Sequence, residues 1–194
     1  MNAFQRIGAV VALGLTLGAC ATITPVPAGP MAVKNEYSVT LGRMWSDVSP
    51  ILVGRSKKVR VLSIDGPFLN RLYVTEGLVP GEGLVRSTVK ERPTPMIRSG
   101  MSANERMEFV ADSIAAMEYQ RVEASAPRPA KFGSANAIRF DIEAKTPEGL
   151  DMKGTALVAE AAGKVYVILY LAPAEHYFAA TLGEVESVMA SVSL

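Results

Sequence analysis

The sequence contains few of the residues on which reaction chemistry depends. Its 194 residues include one cysteine, one histidine and one tryptophan. A single cysteine cannot form an internal disulfide, and a single histidine does not supply the clustered ligands of a zinc site. The chain also lacks the G-x-S-x-G of a serine hydrolase and the G-x-x-x-x-G-K-[ST] of a phosphate-binding loop. These absences favour a protein without catalytic activity and predict no metal ligand.

A strong charge of either sign is also missing. Lys and Arg total 20 and Asp and Glu total 19, which gives a net charge of +1. Nucleic acid is therefore not an expected partner, because no global field would attract it. The composition, with 49% hydrophobic and 20% charged residues, is close to the average of globular domains and leaves room for one domain.

The N-terminal segment has the anatomy of an export signal. Arg6 precedes an apolar run from Ile7 to Leu17, and the small residues Gly18 and Ala19 follow it. The run is too short to span a bilayer, which takes about 20 apolar residues. A positive start, a short apolar core and a small-residue cleavage site are typical of a signal peptide. We expect residues 1–19 to be that signal, with a short buried helix as the alternative.

Leu17-Gly18-Ala19-Cys20 resembles the lipobox of bacterial lipoproteins, with a leucine, two small residues and the obligatory cysteine. The resemblance implies cleavage before Cys20, a diacylglycerol on its thiol and no other cofactor. Ala21, where an aspartate would retain the protein at the inner membrane, resembles outer-membrane sorting. It implies anchoring at the periplasmic face of the outer membrane, with the inner membrane or the cell surface left open. An ordinary secretory signal followed by a coincidental cysteine is the alternative.

The residues after Cys20 suggest a linker. Residues 21–30 contain three prolines, one glycine and no charge. Such a composition does not build a core, so the sequence predicts a flexible tether over 20–30 and a single globular domain over 31–194.

Periodic patterns predict the elements of that domain. Strands are expected at 35–41, 58–65 and 71–75, with the single tryptophan, Trp45, in the core. Ser102 and Glu105 have the spacing of a capping box and predict a helix whose apolar stripe includes Met107, Ile114 and Met117. A strand is then expected at 121–124, followed by a loop with two prolines.

The last third predicts three strands and a helix. Strands are expected at 138–143, 151–160 and 165–171, of which the last is apolar on both faces and therefore central. Pro173 suits a first helical position, so a closing helix is expected over 173–189. Together these elements predict an α+β fold, in which an antiparallel sheet with a C-terminal three-stranded meander is covered by two amphipathic helices.

This element order resembles the Mog1/PsbP-like fold. Residues 138–189 correspond to its second half, and residues 35–75 would supply its N-terminal strands. The resemblance includes no residue motif, so no functional residue is transferred. It implies a binding or assembly accessory protein without catalysis.

Two basic clusters form a candidate partner-contact surface. One precedes a strand and the other lies in the proline-rich loop 91–100 or just before it, and basic loops can contact lipid headgroups or an acidic protein. The candidate residues are Arg55, Lys57, Lys58, Arg60, Lys90, Arg92 and Arg98. Ordinary solvated loops are the alternative.

Three functions are consistent with the sequence. The first is a membrane-anchored, non-catalytic binding module with an unidentified envelope protein as partner. The second is a carrier of a small apolar ligand between the sheet and the stripe of Met107, Ile114 and Met117. The third is a hydrolase using paired carboxylates such as Asp141 and Glu143. The sequence favours the first, because no motif supports the third.

Overall fold

The computed structural model describes residues 22–86 and 93–194. The predicted signal, Cys20, Lys90 and Arg92 lie outside these residues. The described residues form an eight-stranded antiparallel sheet, a separate two-stranded hairpin and two α-helices. This confirms the α+β fold class. None of the described helices has the length and apolar character needed to span a membrane.

The elements follow one another in a simple order. The strands are β1 (Thr24–Val26), β2 (Gly29–Val33), β3 (Tyr37–Leu41), β4 (Trp45–Asp47), β5 (Val59–Ser63), β6 (Arg71–Thr75), β7 (Gln120–Phe132), β8 (Ala135–Lys145), β9 (Asp151–Ala161) and β10 (Lys164–Pro173). The helices are α1 (Ala103–Ala116) and α2 (Tyr177–Ala190), and a 3-10 turn spans Ser49–Ile51. The large sheet has the order β1-β4-β5-β6-β10-β9-β8-β7, and β2 pairs with β3.

The predicted meander is present, and its last strand, β10, lies in the interior of the large sheet. β8, β9 and β10 pair in succession, with Ile138 opposite Val158 and Val158 opposite Val167. Every residue of β10 after Lys164 is buried. A strand buried on both faces needs cover on each side, and the two helices supply it from opposite faces.

Each face of the sheet has its own core. On one face α1 contributes Phe109, Val110 and Ile114. On the other face α2 packs together with the β2–β3 hairpin, and this core includes Trp45. Trp45 is 1% exposed and its indole Nε1 donates to Glu184 at 3.4 Å. The prediction that this tryptophan is a core residue is therefore confirmed.

The start of α1 is as predicted. The Ser102 hydroxyl accepts from the Glu105 amide at 3.2 Å, and the Glu105 carboxylate accepts from the Ser102 amide at 2.8 Å. The buried stripe differs in detail, because it includes Ser113, whereas Met107 and Met117 are only partly buried. Ser113 is accommodated because its hydroxyl donates to the Phe109 carbonyl at 2.7 Å.

Two predicted boundaries in the second half are wrong. β7 continues through the proline segment expected to be a loop, since it is an edge strand with bulges, where proline is tolerated. Pro173 ends β10 instead of starting α2. The chain turns at His176, whose backbone φ is 64°, and the Tyr177 amide donates to the Glu175 carbonyl at 2.7 Å. Because of this tight turn, α2 begins only at Tyr177.

The predicted tether is also wrong from residue 24 onward. Thr24–Val26 pairs with Trp45–Asp47, and Gly29–Val33 pairs with β3. Pro25 is tolerated because β1 is a short strand at the edge of the sheet. The folded domain therefore begins at residue 24, and only three residues separate Cys20 from its first strand.

Candidate functional site

Two surface depressions adjoin the segment that connects β4 to β5. The arginine cleft has a volume of about 350 Å³, and its lining includes Arg55, Arg71, Tyr73, Arg86, Met117 and Glu118. The basic groove has a volume of about 460 Å³, and its lining includes Lys34, Asp47, Arg55, Lys57, Lys58 and Arg60. Arg55 lies in the wall between them, so the two sites share one structural element.

The basic groove gathers the first predicted basic cluster. The four cations of that cluster all line the groove, but two of them form salt bridges with carboxylates. Arg60 Nε lies 2.8 Å from an Asp47 carboxylate oxygen, and Lys58 Nζ lies 2.7 Å from one of Glu82. The cluster therefore forms in the folded chain, while much of its charge is neutralised locally.

Arg55 has a structural role. Its Nε donates to the Ser49 carbonyl at 2.8 Å, and its Nη1 donates to the carbonyls of Ser56 and Val59 at 3.2 and 2.9 Å. These bonds tie the 3-10 turn to the start of β5. Lys57 and Lys34 are exposed, and neither forms a salt bridge with a described residue. They are the cations that a partner of the groove would meet first.

Both acids paired with the groove's cations are held ionised. Burial acts to raise the pKa of Asp47, but hydrogen bonds from Ser49 and the ion pair with Arg60 outweigh it, so the pKa lies below its ordinary value. Burial likewise acts against ionisation of Glu82, and hydrogen bonds from Lys58 and the Val79 amide outweigh it and lower its pKa. The two pairs therefore persist at neutral pH.

Arg98 does not join this cluster. Its Nη2 lies 3.1 Å from a Glu105 carboxylate oxygen at the start of α1, and it lines neither depression. Arg98 therefore lies apart from the first cluster, and its contact with a partner stays a prediction. Lys90 and Arg92 lie outside the described residues, so their part of the surface stays a prediction.

The arginine cleft lies at the C-terminal end of α1. Tyr73 and Met117 form an apolar wall, and Arg71 donates to the Tyr73 hydroxyl at 3.4 Å and to the Pro67 carbonyl. On the N-terminal side of this cleft, α1 is in contact with the sheet, since Ile114 is fully buried. Of Met107, Ile114 and Met117, Met117 alone lines one of these two depressions.

Arg71 and Arg86 were not predicted from the sequence. They lie far apart in the chain and belong to no basic cluster. A signal existed for Arg71, because period-two alternation along β6 places it on the same face as Tyr73. Arg86 had no such signal, since it lies in irregular chain.

The residues considered for catalysis do not form a reactive site. Asp141 accepts two hydrogen bonds from Arg128, at 2.8 and 3.1 Å, and Glu143 is exposed opposite Lys153. His176 is an exposed residue at the start of α2 and its side chain makes no capping hydrogen bond. Among residues 22–86 and 93–194, no group of three or more His, Cys, Asp or Glu could hold a metal ion.

Comparison with known proteins gives a fold but no family. No protein-family model matches the chain, and no curated protein matches it significantly. The solution structure of the cyanobacterial PsbP protein CyanoP from Synechocystis aligns over 97% of this chain and 98% of that chain, with a TM-score of 0.53 and 14% identity. A weaker likeness is to LpqN, which is involved in cell envelope biogenesis of Mycobacterium tuberculosis. It aligns over 89% of this chain and 90% of that chain, with a TM-score of 0.35 and 12% identity.

The likeness to CyanoP covers nearly the whole of both chains, whereas the identity is too low to transfer any residue or activity. The chain has a PsbP-like fold.

Proposed function

We propose that this protein is a lipid-anchored, non-catalytic binding module of the bacterial cell envelope, acylated on Cys20. The observation that carries the proposal is Leu17-Gly18-Ala19-Cys20 behind a charged start and an apolar run. The motif uses the only cysteine of the chain. Ala21 supports placement at the periplasmic face of the outer membrane, as the resemblance implies.

A binding role agrees with the surface of the domain. The basic groove presents Lys34 and Lys57 to solvent beside two ion pairs, and it is open enough to admit a side chain of a partner. A partner with an anionic surface is the one that this charge would select. The carboxylates considered for hydrolysis are occupied by cations or exposed, which favours binding over catalysis.

The anchor is tested by replacing Cys20. In the full-length protein, Cys20→Ala should abolish incorporation of labelled palmitate and release the protein from membranes, because the acyl chains supply the anchoring free energy. Thr16→Ala, upstream of the motif, is the matched control and should retain both properties. Continued palmitate labelling of the Cys20→Ala protein would refute the assignment.

The partner is tested by photocrosslinking in intact cells. A crosslinking residue at Arg98, a predicted contact residue whose side chain is 70% exposed, should capture one envelope protein, whereas the same residue at Phe68 should not. Phe68 is 84% exposed and lies in the turn between β5 and β6. If both positions gave the same crosslinked proteins in equal amounts, the contacts would be diffusional and no specific site would be indicated.

The arginine cleft supports a second candidate, a carrier of a small ligand. Its apolar wall of Tyr73 and Met117 beside Arg71 and Arg86 suits a ligand with an apolar body and an anionic end. A volume of about 350 Å³ is near the lower limit for such sites, which start at about 300 Å³. Native mass spectrometry of the purified protein should show a bound lipid, and a spectrum of ligand-free protein would exclude this role.

A further inference from the structure

The first strand lies very close to the proposed anchor. Consecutive Cα atoms are about 3.8 Å apart, so the Cα of Thr22 is at most about 8 Å from that of Cys20. Thr24, two residues later, is already paired with Asp47 in the sheet. If acyl chains on Cys20 are embedded in a bilayer, the corner of the sheet where β1 begins must lie at the surface of that bilayer.

Three exposed apolar residues belong to the chain segments that meet at this corner. The pairing of Thr24 with Asp47 directs the chain before β1 toward the segment after β4. That end of β1 contributes Ile23, which is 48% exposed, and the segment contributes Ile51 and Val53, which are 40% and 90% exposed. Exposed apolar residues such as Phe68 also occur elsewhere on the surface, but these three lie on the segments next to the proposed anchor, where a bilayer would be within reach.

The charges beside these side chains are suited to a phospholipid surface. Lys57 follows Val53 along the same segment. Lys34 and Lys57 both line the basic groove. Both are exposed and outside the salt bridges of the described residues, while Asp47 is held by Arg60. Glu76 is the remaining acid in the lining of the groove. Apolar side chains flanked by lysines are typical of segments that bind at the membrane interface.

We infer that this corner, which we call the docking corner and define as Ile23, Lys34, Ile51, Val53 and Lys57, sits on the anionic phospholipid surface of the bilayer that carries the anchor. The inference depends on the proposed acylation of Cys20. The apolar side chains enter the headgroup region and the two lysines meet lipid phosphates. The lipid thus supplies attachment, and the docking corner fixes the orientation of the domain.

Site-specific fluorescence tests this orientation. Acylation converts the Cys20 thiol to a thioether, so in a Val53→Cys variant of the full-length protein the new cysteine is the only free thiol. It is labelled with an environment-sensitive fluorophore in vesicles of phosphatidylglycerol and phosphatidylethanolamine that contain a nitroxide lipid. We expect strong quenching at position 53. Phe68→Cys, at the opposite end of β5 and β6, is the matched control and should remain largely unquenched.

The outcomes separate this inference from the proposed function. Weak quenching at both positions in protein that carries labelled palmitate would overturn the docking corner and leave the anchor intact. A protein without palmitate would overturn the proposed function itself. A photocrosslink from position 53 to a protein in intact cells would identify a protein as the occupant and also overturn the inference.

A charge reversal tests the lipid chemistry. In the Val53→Cys protein, Lys57→Glu should lower the ratio of docked to undocked domain by at least about fivefold, because each basic residue near an anionic surface contributes about that factor and the new carboxylate adds repulsion. Glu148→Lys, in the exposed turn between β8 and β9, is the control and should leave quenching unchanged. Unchanged quenching in the Lys57→Glu protein would overturn the assignment to an anionic surface.

Discussion

The meander β8–β10 and the corner formed by β1, β4 and the segment after it are built in opposite ways. β10 pairs along its whole length with β9 and is buried from Val165 onward. β1 pairs over only three residues, and the segment after β4 exposes Val53. Long local hairpins concentrate stability in one region, which allows the other region to keep apolar side chains at the surface for contact.

The largest effect should come from the core of the meander. Phe140 in β8 is fully buried and packs in the core beneath α1. Phe140→Ala should lower the free energy of unfolding by about 3–5 kcal/mol, because it removes buried area and leaves a cavity. Urea unfolding followed by the fluorescence of Trp45 measures this loss. A loss below about 1 kcal/mol would show that the meander does not dominate stability.

A smaller effect is expected from a glycine in β9. A Cβ at Gly154 would lie 2.6 Å from the Tyr170 carbonyl oxygen and 2.6 Å from Leu171 Cδ2. Gly154→Ala should therefore destabilise the protein by about 1–3 kcal/mol through overpacking. Gly183→Ala is the matched control, because nothing lies within 4 Å of that position and α2 would gain up to about 1 kcal/mol of helix propensity. If the two substitutions changed the free energy of unfolding with the same sign, this explanation would be contradicted.

An ion pair joins the β2–β3 hairpin to β10 and should make stability depend on pH. The Glu36 carboxylate accepts from Lys164 Nζ at 2.7 Å and from the Tyr166 hydroxyl at 2.8 Å, and these bonds hold the pKa of Glu36 below its ordinary 4.5. Because the pKa of Glu36 is lower in the folded protein than in the unfolded chain, its ionised carboxylate stabilises the fold above pH 4.5. This contribution is lost as the pH falls through the pKa of Glu36 in the folded protein. The pair is partly exposed, so Glu36→Gln should cost up to about 1 kcal/mol at pH 7.

The pH dependence distinguishes this role from simple packing. The difference in stability between Glu36→Gln and the unchanged protein should be present at pH 7 and should shrink toward zero at a pH below the lowered pKa of Glu36, where its carboxyl is protonated. Thermal unfolding at both pH values measures the two differences. Glu148→Gln, in an exposed turn, should have no effect at either pH. An equal difference at both pH values for Glu36→Gln would indicate packing alone.

The smallest effect on stability is expected at the docking corner. Val53→Ser changes a side chain that is 90% exposed, so the free energy of unfolding should stay within about 0.5 kcal/mol. The substitution should nevertheless reduce contact with the bilayer, which a fluorophore at Ile51→Cys reports. Loss of stability above about 1 kcal/mol would show that Val53 packs in the fold and would weaken the contrast between the two regions.

The parts of the fold that depend on local sequence were predictable. The capping box fixed the start of α1, and the apolar run at 165–171 identified the central strand. β1 was not predictable from composition, because its three residues are specified by their partner β4 about twenty residues away. The start of α2 was misplaced because Pro173 fits both the end of a strand and the first turn of a helix.

The candidate site was predictable only where its residues adjoin in the chain. The cluster 55–60 lines one groove because it is contiguous. Neutralisation of Arg60 by Asp47 and of Lys58 by Glu82 could not be foreseen, since those pairs depend on tertiary contacts. The arginine cleft was missed for the same reason, because Arg71 and Arg86 approach the end of α1 only in the folded chain.

With the proposed lipid anchor, the prolines at the sheet edges have a consequence for copies of this protein on one membrane. Confinement to a surface raises the effective concentration at which neighbours meet. One edge is the short β1 with Pro25, and the other is β7 with its bulges and Pro127 and Pro129. Neither edge offers a long uninterrupted row of backbone donors, so strand-to-strand zipping between neighbours is disfavoured. The fold is thereby suited to dense lateral packing without polymerising.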